Sequence, residues 1–426
     1  MNRILTAFLA ALFVSLTPAV EPIAPLDPAF KNRAFEHVRH LAALGSRVAG
    51  SEGEAKAIRY IAEQMKKIGL EASVEPFQFQ PFDLEKSTVA IGDDRLDAPG
   101  LGFDPYSGVT RFTGQPFFLE PAVFQDRPAF NKLDLNGRVV ITTRDVSLMR
   151  LGYFKTPKIA ALVPPEAFER MKAAGGRQAE IEVSGKVLRV DSANVVATLA
   201  APQPTKRLVI VSAHLDSWNC PGAHDNASGV GVMLELARHL KETAKDLPFA
   251  VRFVAFGSEE LGMLGSKAYL DRHLPELMQC DLVFNIDSVG GKTIGVEARG
   301  GVQNVKGKAQ NQFPKDFMDK ATVDLRGRWV LIWREQQLQA SNVPDWLKTP
   351  LTATGRDLGY DISLNNGMGS DHQVFAQAGI VATNIAVYGG VKSHSPEDVP
   401  EQIDPAGLEK AGRVVAGVLA RLASAN

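Results

Sequence analysis

Three things are scarce in this sequence. It holds two cysteines in 426 residues, no apolar run long enough to span a bilayer, and no surplus of either charge, with 47 Lys plus Arg against 48 Asp plus Glu. Two cysteines cannot staple a fold, so the chain has to rely on a hydrophobic core. A formal charge of −1 excludes the basic excess that usually marks nucleic-acid or anionic-membrane binding. Internal repeats and low-complexity tracts are also absent. What is present is 45% hydrophobic residues in a chain too long for one average domain. This predicts a sizeable core in two or three units, and a soluble enzyme or binding protein.

The first 20 residues, MNRILTAFLAALFVSLTPAV, place one Arg before an apolar run and end on small residues. That is the layout of a cleaved secretory signal; the run falls short of the roughly 20 apolar residues of a membrane span. An uncleaved anchor or a buried helix is the plainer alternative. The expectation is an extracytoplasmic protein, secreted or periplasmic, with no stable membrane anchor. Export would favour pairing Cys220 with Cys280. If the runs beside them are parallel strands, however, the two thiols lie at opposite ends of the sheet. That is about 20 Å apart at about 3.3 Å per residue, beyond the roughly 7 Å that a disulfide bridges. Two free thiols are expected.

Between residues 34 and 68, Phe35, Val38 and Leu41, then Ala57, Ile58, Ile61, Met65 and Ile68 recur at helical spacing. The string GSRVAGS at 45–51 suits a turn, with Ser51 as N-cap of the second helix, and 70–79 alternates like a strand. Residues 85–200 read differently, with short β-like runs such as 139–143 and 180–183 and one helical piece at 165–174. They form an inserted, mainly β unit. From 206 onward, apolar runs at 207–213, 250–256, 281–286 and 380–387 alternate with helices such as 229–241 and 406–422. The predicted fold class is α/β: three layers, with a mixed, largely parallel central sheet and helices on both faces, built from 21–84 and 201–426 around the smaller insertion. The polar stretch 295–345, which includes Trp329, interrupts the rhythm and is expected to be an excursion over the strand ends.

In such sheets the active site lies beyond the carboxyl ends of the strands. His214 and Asp216 follow the first run, Asp225 opens the next helix, Glu259 and Glu260 follow the second run, Asp287 follows the third, and His394 lies beyond the last. Nitrogen and oxygen donors without thiolate suit zinc, and accommodate cobalt or manganese; there is no all-oxygen cage for calcium. Each residue also has a plain reading. A lone His214 could be a hydrogen-bonded structural histidine, Asp225 a helix cap, the Glu pair solvent-facing, and Asp287 a turn residue.

The strings RVAGS (47–51), HLD (214–216), GAHDNASG (222–229), SEELG (258–262), NID (285–287), SDH (370–372) and HSP (394–396) resemble, in that order, those of the M28 family of co-catalytic zinc exopeptidases. The likeness covers about 34–80 and 206–422, and the middle segment is similar to a shortened protease-associated domain. The resemblance implies two Zn2+ ions. His214, Asp225 and Asp287 would ligate one, and Asp225, Glu260 and His394 the other, with Asp225 bridging. Asp216 would accept from the far ring nitrogen of His214, fixing its tautomer. Glu259 matches the general base that acts through a metal-bridging water. The Asp225–Asn226 peptide resembles one that is cis in the family.

Some positions depart from the pattern. Certain family members carry Tyr immediately before the last His ligand; here that residue is Ser393, which leaves the oxyanion helper unassigned. Trp218, Asp371, His372 and Tyr388 are weaker candidates for contacts with a peptide substrate, each with a structural alternative, and His224 reads as non-ligating. The leading expectation is an aminopeptidase. A carboxypeptidase or dipeptidase of the same family is the alternative. A glutaminyl cyclase, which uses one zinc, and a receptor-like ectodomain, which has lost ligands, follow behind.

Overall fold

The computed structural model describes residues 23–424 apart from 98–99, 102–108, 121–122, 124–131, 144–159, 292–294, 299–322, 326–327, 332–344, 361–362, 366–368 and 387–392. The N-terminal segment expected to be a signal lies outside them. Helices α1 (Phe30–Ala43) and α2 (Glu52–Lys67) form where the apolar spacing is helical. Ser51 caps α2 by accepting the Glu54 N–H at 3.1 Å, and Gly69, at φ 84°, lets the chain turn away.

Strand β1 (Ala72–Phe79) enters a large sheet, and the chain then departs into a second one. That sheet includes β2 (Phe82–Ile91), β3 (Asp94–Asp97), β4 (Gly100–Leu101), β5 (Val109–Leu119), β6 (Arg138–Thr143), β7 (Ala160–Val163) and β8 (Ala179–Val187). Its separate core joins Val139, Ile141 and Ile181 to Phe168 and Met171 of the helix Pro165–Ala173. The chain returns with β9 (Val190–Leu199) and continues through β10 (Leu208–His214), β11 (Ala250–Phe256), β12 (Cys280–Ile286) and β13 (Gly295–Ala298). The later strands are β14 (Val323–Leu325), β15 (Arg328–Leu331), β16 (Ser363–Asn365) and β17 (Ala382–Ala386).

The large sheet runs β1-β9-β11-β10-β12-β17-β13-β16. Its centre is parallel, β11 and β12 flanking β10, and β17 beside β12. The pairs β1–β9, β9–β11 and β13–β17 are antiparallel. This is the mixed α/β architecture expected. The central runs show no polar alternation because both faces are covered. Val209, Val211, Phe253 and Phe284 face the core under α1 and the helices Ser228–Thr243 and Pro405–Ser424. Ile210, Val254 and Val283 face Tyr269 and Phe375 on the opposite side. Burying one such side chain contributes about 1.5–3 kcal/mol.

Two elements fall elsewhere than the apolar pattern suggests. β9, within 85–200, is a member of the large sheet, and β2, which begins before residue 85, belongs to the second. The stretch 295–345 is not wholly an excursion. β13 pairs with β17, while β14 and β15 pair with each other and β15 with β2. Strands of three or four residues carry too little periodicity to be read. Cys220 and Cys280 are free, as expected.

Candidate metal centre

Parallel strands β10, β11, β12 and β17 end at one edge, and the chemistry-bearing residues follow those ends directly. The backbone turns sharply there. Among the described residues five non-glycine positions have positive φ, and four of them, Ser258 (57°), Met263 (60°), Ser288 (56°) and His394 (60°), are in or beside this cluster. Such conformations cost about 1 kcal/mol or more each and persist where the surroundings impose them. The Asp225–Asn226 peptide is cis. The Asn226 carboxamide donates to the Ile286 carbonyl at 2.9 Å and accepts from the Gly229 N–H at 2.8 Å, tying the turn to β12 and to the helix Ser228–Thr243.

Two triads result. The donor atoms of His214, Asp225 and Asp287 lie within 4.8 Å of one another, as do those of Asp225, Glu260 and His394. His214 Nε2 is 3.1 Å from Asp225 Oδ1 and 3.3 Å from Asp287 Oδ1. His394 Nε2 is 2.8 Å from Asp225 Oδ2 and 3.1 Å from Glu260 Oε1. Asp225 therefore turns one oxygen to each triad. Asp216 lies behind them, 3.4 Å from His214 Nδ1, and accepts the N–H groups of Glu259 at 3.0 Å and Glu260 at 3.1 Å.

Burial disfavours a charged imidazole at His214, yet Asp287, Asp216 and Asp225 outweigh it and hold its pKa well above the usual value. His394 behaves likewise: burial opposes protonation, and Glu260 and Asp225 overcome it. Burial pushes Glu259 well above the ordinary carboxylate range, and raises Glu260 as well. Asp225 is held well below that range, because His394 and His214 outweigh its burial. Each Nε2 faces two carboxylates but can donate only one proton. A donor set of imidazoles and carboxylates with this unmet demand for positive charge fits divalent zinc.

The other candidates fall nearby or outside. Trp218 is buried, its ring 5.5 Å from the His394 ring, and its backbone N–H donates to Glu260 Oε1 at 3.2 Å. Asp371 is buried ahead of the short helix His372–Gln377 and accepts from Ser266 Oγ at 2.5 Å; His372 opens that helix, also buried. Tyr388 lies outside the described residues. His224 joins neither triad; its Nδ1 is 2.8 Å from Ser393 Oγ. The sequence reading missed Asp398, whose carboxylate accepts the N–H groups of His224 at 2.6 Å and Asp225 at 3.1 Å. It also missed Arg47, fully buried and bonded to four backbone carbonyls. The available signal was a cation set among small and apolar residues in GSRVAGS.

The class these features define is an α/β protein with a candidate metal centre at the carboxyl ends of its strands. Residues 194–419 match the model of Peptidase family M28, and the chain belongs to that family. It is 29% identical to aminopeptidase YwaD of Bacillus subtilis, over 94% of this chain and 88% of the relative. It is 25% identical to a probable lipoprotein aminopeptidase, LpqL, of Mycobacterium tuberculosis, over 63% of this chain and 60% of that protein. An aminopeptidase structure from Aneurinibacillus sp. strain AM-1 shares the fold, with a TM-score of 0.65 at 23% identity and 91% and 92% of the two chains covered.

Proposed function

We propose that this protein is an extracytoplasmic di-zinc exopeptidase, an aminopeptidase that removes residues from the free amino end of peptides. The observation that carries the reading is the pair of triads joined through Asp225. His214, Asp225 and Asp287 would hold one zinc; Asp225, Glu260 and His394 would hold the other. Bound zinc supplies Lewis acidity and lowers the pKa of water at the site. Glu259 is buried at the same edge but belongs to neither triad, which leaves its carboxylate free to take the proton of the attacking water and pass it to the leaving amine.

Asp216 orients His214 and pins the backbone of both glutamates. Trp218 backs His394. The domain division follows the same reading: a peptidase unit holding the large sheet and an inserted unit around the second. The amino-end polarity is supported by two relatives named as aminopeptidases, and the compartment by the lipoprotein relative and the signal-like start. No helix among the described residues is long and apolar enough to cross a membrane.

The test combines metal analysis of the purified protein with digestion of peptides that are free, N-blocked or C-blocked. Two zinc ions per chain, chelator-sensitive cleavage and a need for the free amine are expected. Glu259→Gln should keep its zinc and lose roughly 10²- to 10⁴-fold in rate. Absence of zinc, or full activity in Glu259→Gln, refutes the proposal; cleavage of N-blocked peptides from the carboxyl end replaces it with the carboxypeptidase reading.

A further inference from the structure

We infer that Arg47 and Asp398 are positioning residues for the metal centre, fixing the loop of residues 215–225 and with it the ligand Asp225 that both sites share. The inference rests on the zinc reading above.

Arg47 has no exposed surface, and among the described residues no carboxylate lies within ion-pair distance of it. Burying a guanidinium in that way costs several kcal/mol unless its donors are well used. Its donors reach the carbonyls of Leu215 at 2.9 Å, Gly222 at 2.9 Å and Pro221, with Leu41 at the end of α1 as the outside anchor at 3.3 Å. Leu215 sits between His214 and Asp216, and Gly222 three residues before Asp225. One rigid fork thus holds both ends of the loop and sets the separation of two ligands of one metal. The Arg47 N–H also donates to Ser217 Oγ at 3.0 Å, which donates in turn within the loop, to the Trp218 and Cys220 carbonyls.

Asp398 holds the same loop through other backbone groups. It follows His394 by four residues and uses both carboxylate oxygens on the successive N–H groups of His224 and Asp225, while its own carbonyl accepts from Ala223 at 3.2 Å. It therefore links the backbone of the shared ligand to the segment that supplies the second histidine. The loop has no slack: Gly222 is left-handed at φ 58°, and a Cβ there would lie 2.4 Å from Ser217 Cβ and 2.5 Å from the Asp225 carbonyl oxygen.

The test titrates zinc chloride, against a competing chelator, into the metal-free full-length protein and its Arg47→Lys and Asp398→Asn variants. Kinetics at saturating zinc and thermal unfolding of the metal-free forms accompany it. Both variants should bind zinc about 10- to 100-fold more weakly, the range for groups that orient ligands. KM should stay unchanged, and most of the rate should return when zinc is saturating. Val414→Ala, in the helix Pro405–Ser424 that carries no candidate ligand, serves as a stability control. Zinc affinity within twofold of the parent in either folded variant overturns the inference. So does an equal affinity loss in Val414→Ala. Should one variant not fold, the other decides. A parent that binds no zinc refutes the functional proposal instead, so the two failures are distinguishable.

Discussion

Replacing Asp216 by Asn keeps the size of the side chain and removes one acceptor. In the native arrangement the two carboxylate oxygens take the N–H groups of Glu259 at 3.0 Å and Glu260 at 3.1 Å, and Oδ1 also faces His214 Nδ1 at 3.4 Å. An amide offers one oxygen and one NH2, so in either orientation one backbone N–H meets another donor. The loss is one charge-assisted hydrogen bond, about 1.5–3 kcal/mol, plus one buried unsatisfied N–H, about 1–3 kcal/mol. Relaxation of the loop relieves part of this, leaving roughly 3 kcal/mol, or about a hundredfold at 1.4 kcal/mol per decade. The penalty falls on the two residues assigned as base and ligand, so kcat should drop by about that factor and KM should hold. The assay is steady-state hydrolysis of an aminoacyl substrate at saturating zinc, with zinc content measured on the same sample. Asp216→Asn with unaltered kcat and zinc affinity would show that this carboxylate does not hold the catalytic loop.

Two further outcomes follow from the electrostatics. In the metal-free protein His214 and His394 have raised pKa values, so they carry protons at neutral pH, whereas zinc requires neutral imidazoles. Calorimetric titrations in buffers of different ionisation enthalpy should therefore show net proton release on zinc binding at pH 7, and affinity should fall as pH is lowered. Heats independent of the buffer would contradict the charge states assigned. Away from the ligands, burial raises Glu54 to about 8, although it accepts from Ser192 Oγ and the Gly50 N–H, both at 2.6 Å. A carboxyl raised on folding contributes stability that is complete below its unfolded pKa and is lost as pH climbs through the folded value. The urea midpoint of the parent should thus decline between about pH 4.5 and 8 more steeply than that of Glu54→Gln; parallel profiles would refute the assignment.

The parallel centre of the large sheet was legible because β10, β11, β12 and β17 are apolar runs with chemistry following each end. The ligand candidates were legible for the same reason: a carboxylate or imidazole directly after a buried strand has few plain explanations once several share one edge. What could not be read was set by contacts distant in sequence. Arg47 meets its partners in the 215–222 loop across about 170 residues, and Asp398 reaches His224 over a similar span. Neither carries a periodicity or spacing that marks its target. The pairing of β15 with β2 escaped because its register rests on two residue pairs, Val330 with Asp83 and Leu331 with Phe82.

The division of labour proposed for Glu259 and Glu260 cannot come from their side chains, which are chemically identical and almost equally buried, at 7% and 5% exposure. It comes from the backbone. Ser258, at φ 57°, turns the chain off the end of β11, and Asp216 then holds the next two N–H groups side by side. Consecutive side chains leaving a fixed backbone diverge. Glu260 accordingly points to His394 at 3.1 Å and completes a triad, while Glu259 stays outside both. A loop held less firmly would let the two carboxylates exchange places, and the site would trade a ligand for a base with each exchange. The fixed acceptor at Asp216 and the left-handed Ser258 are therefore what would allow two adjacent identical residues to take the proposed roles of base and ligand.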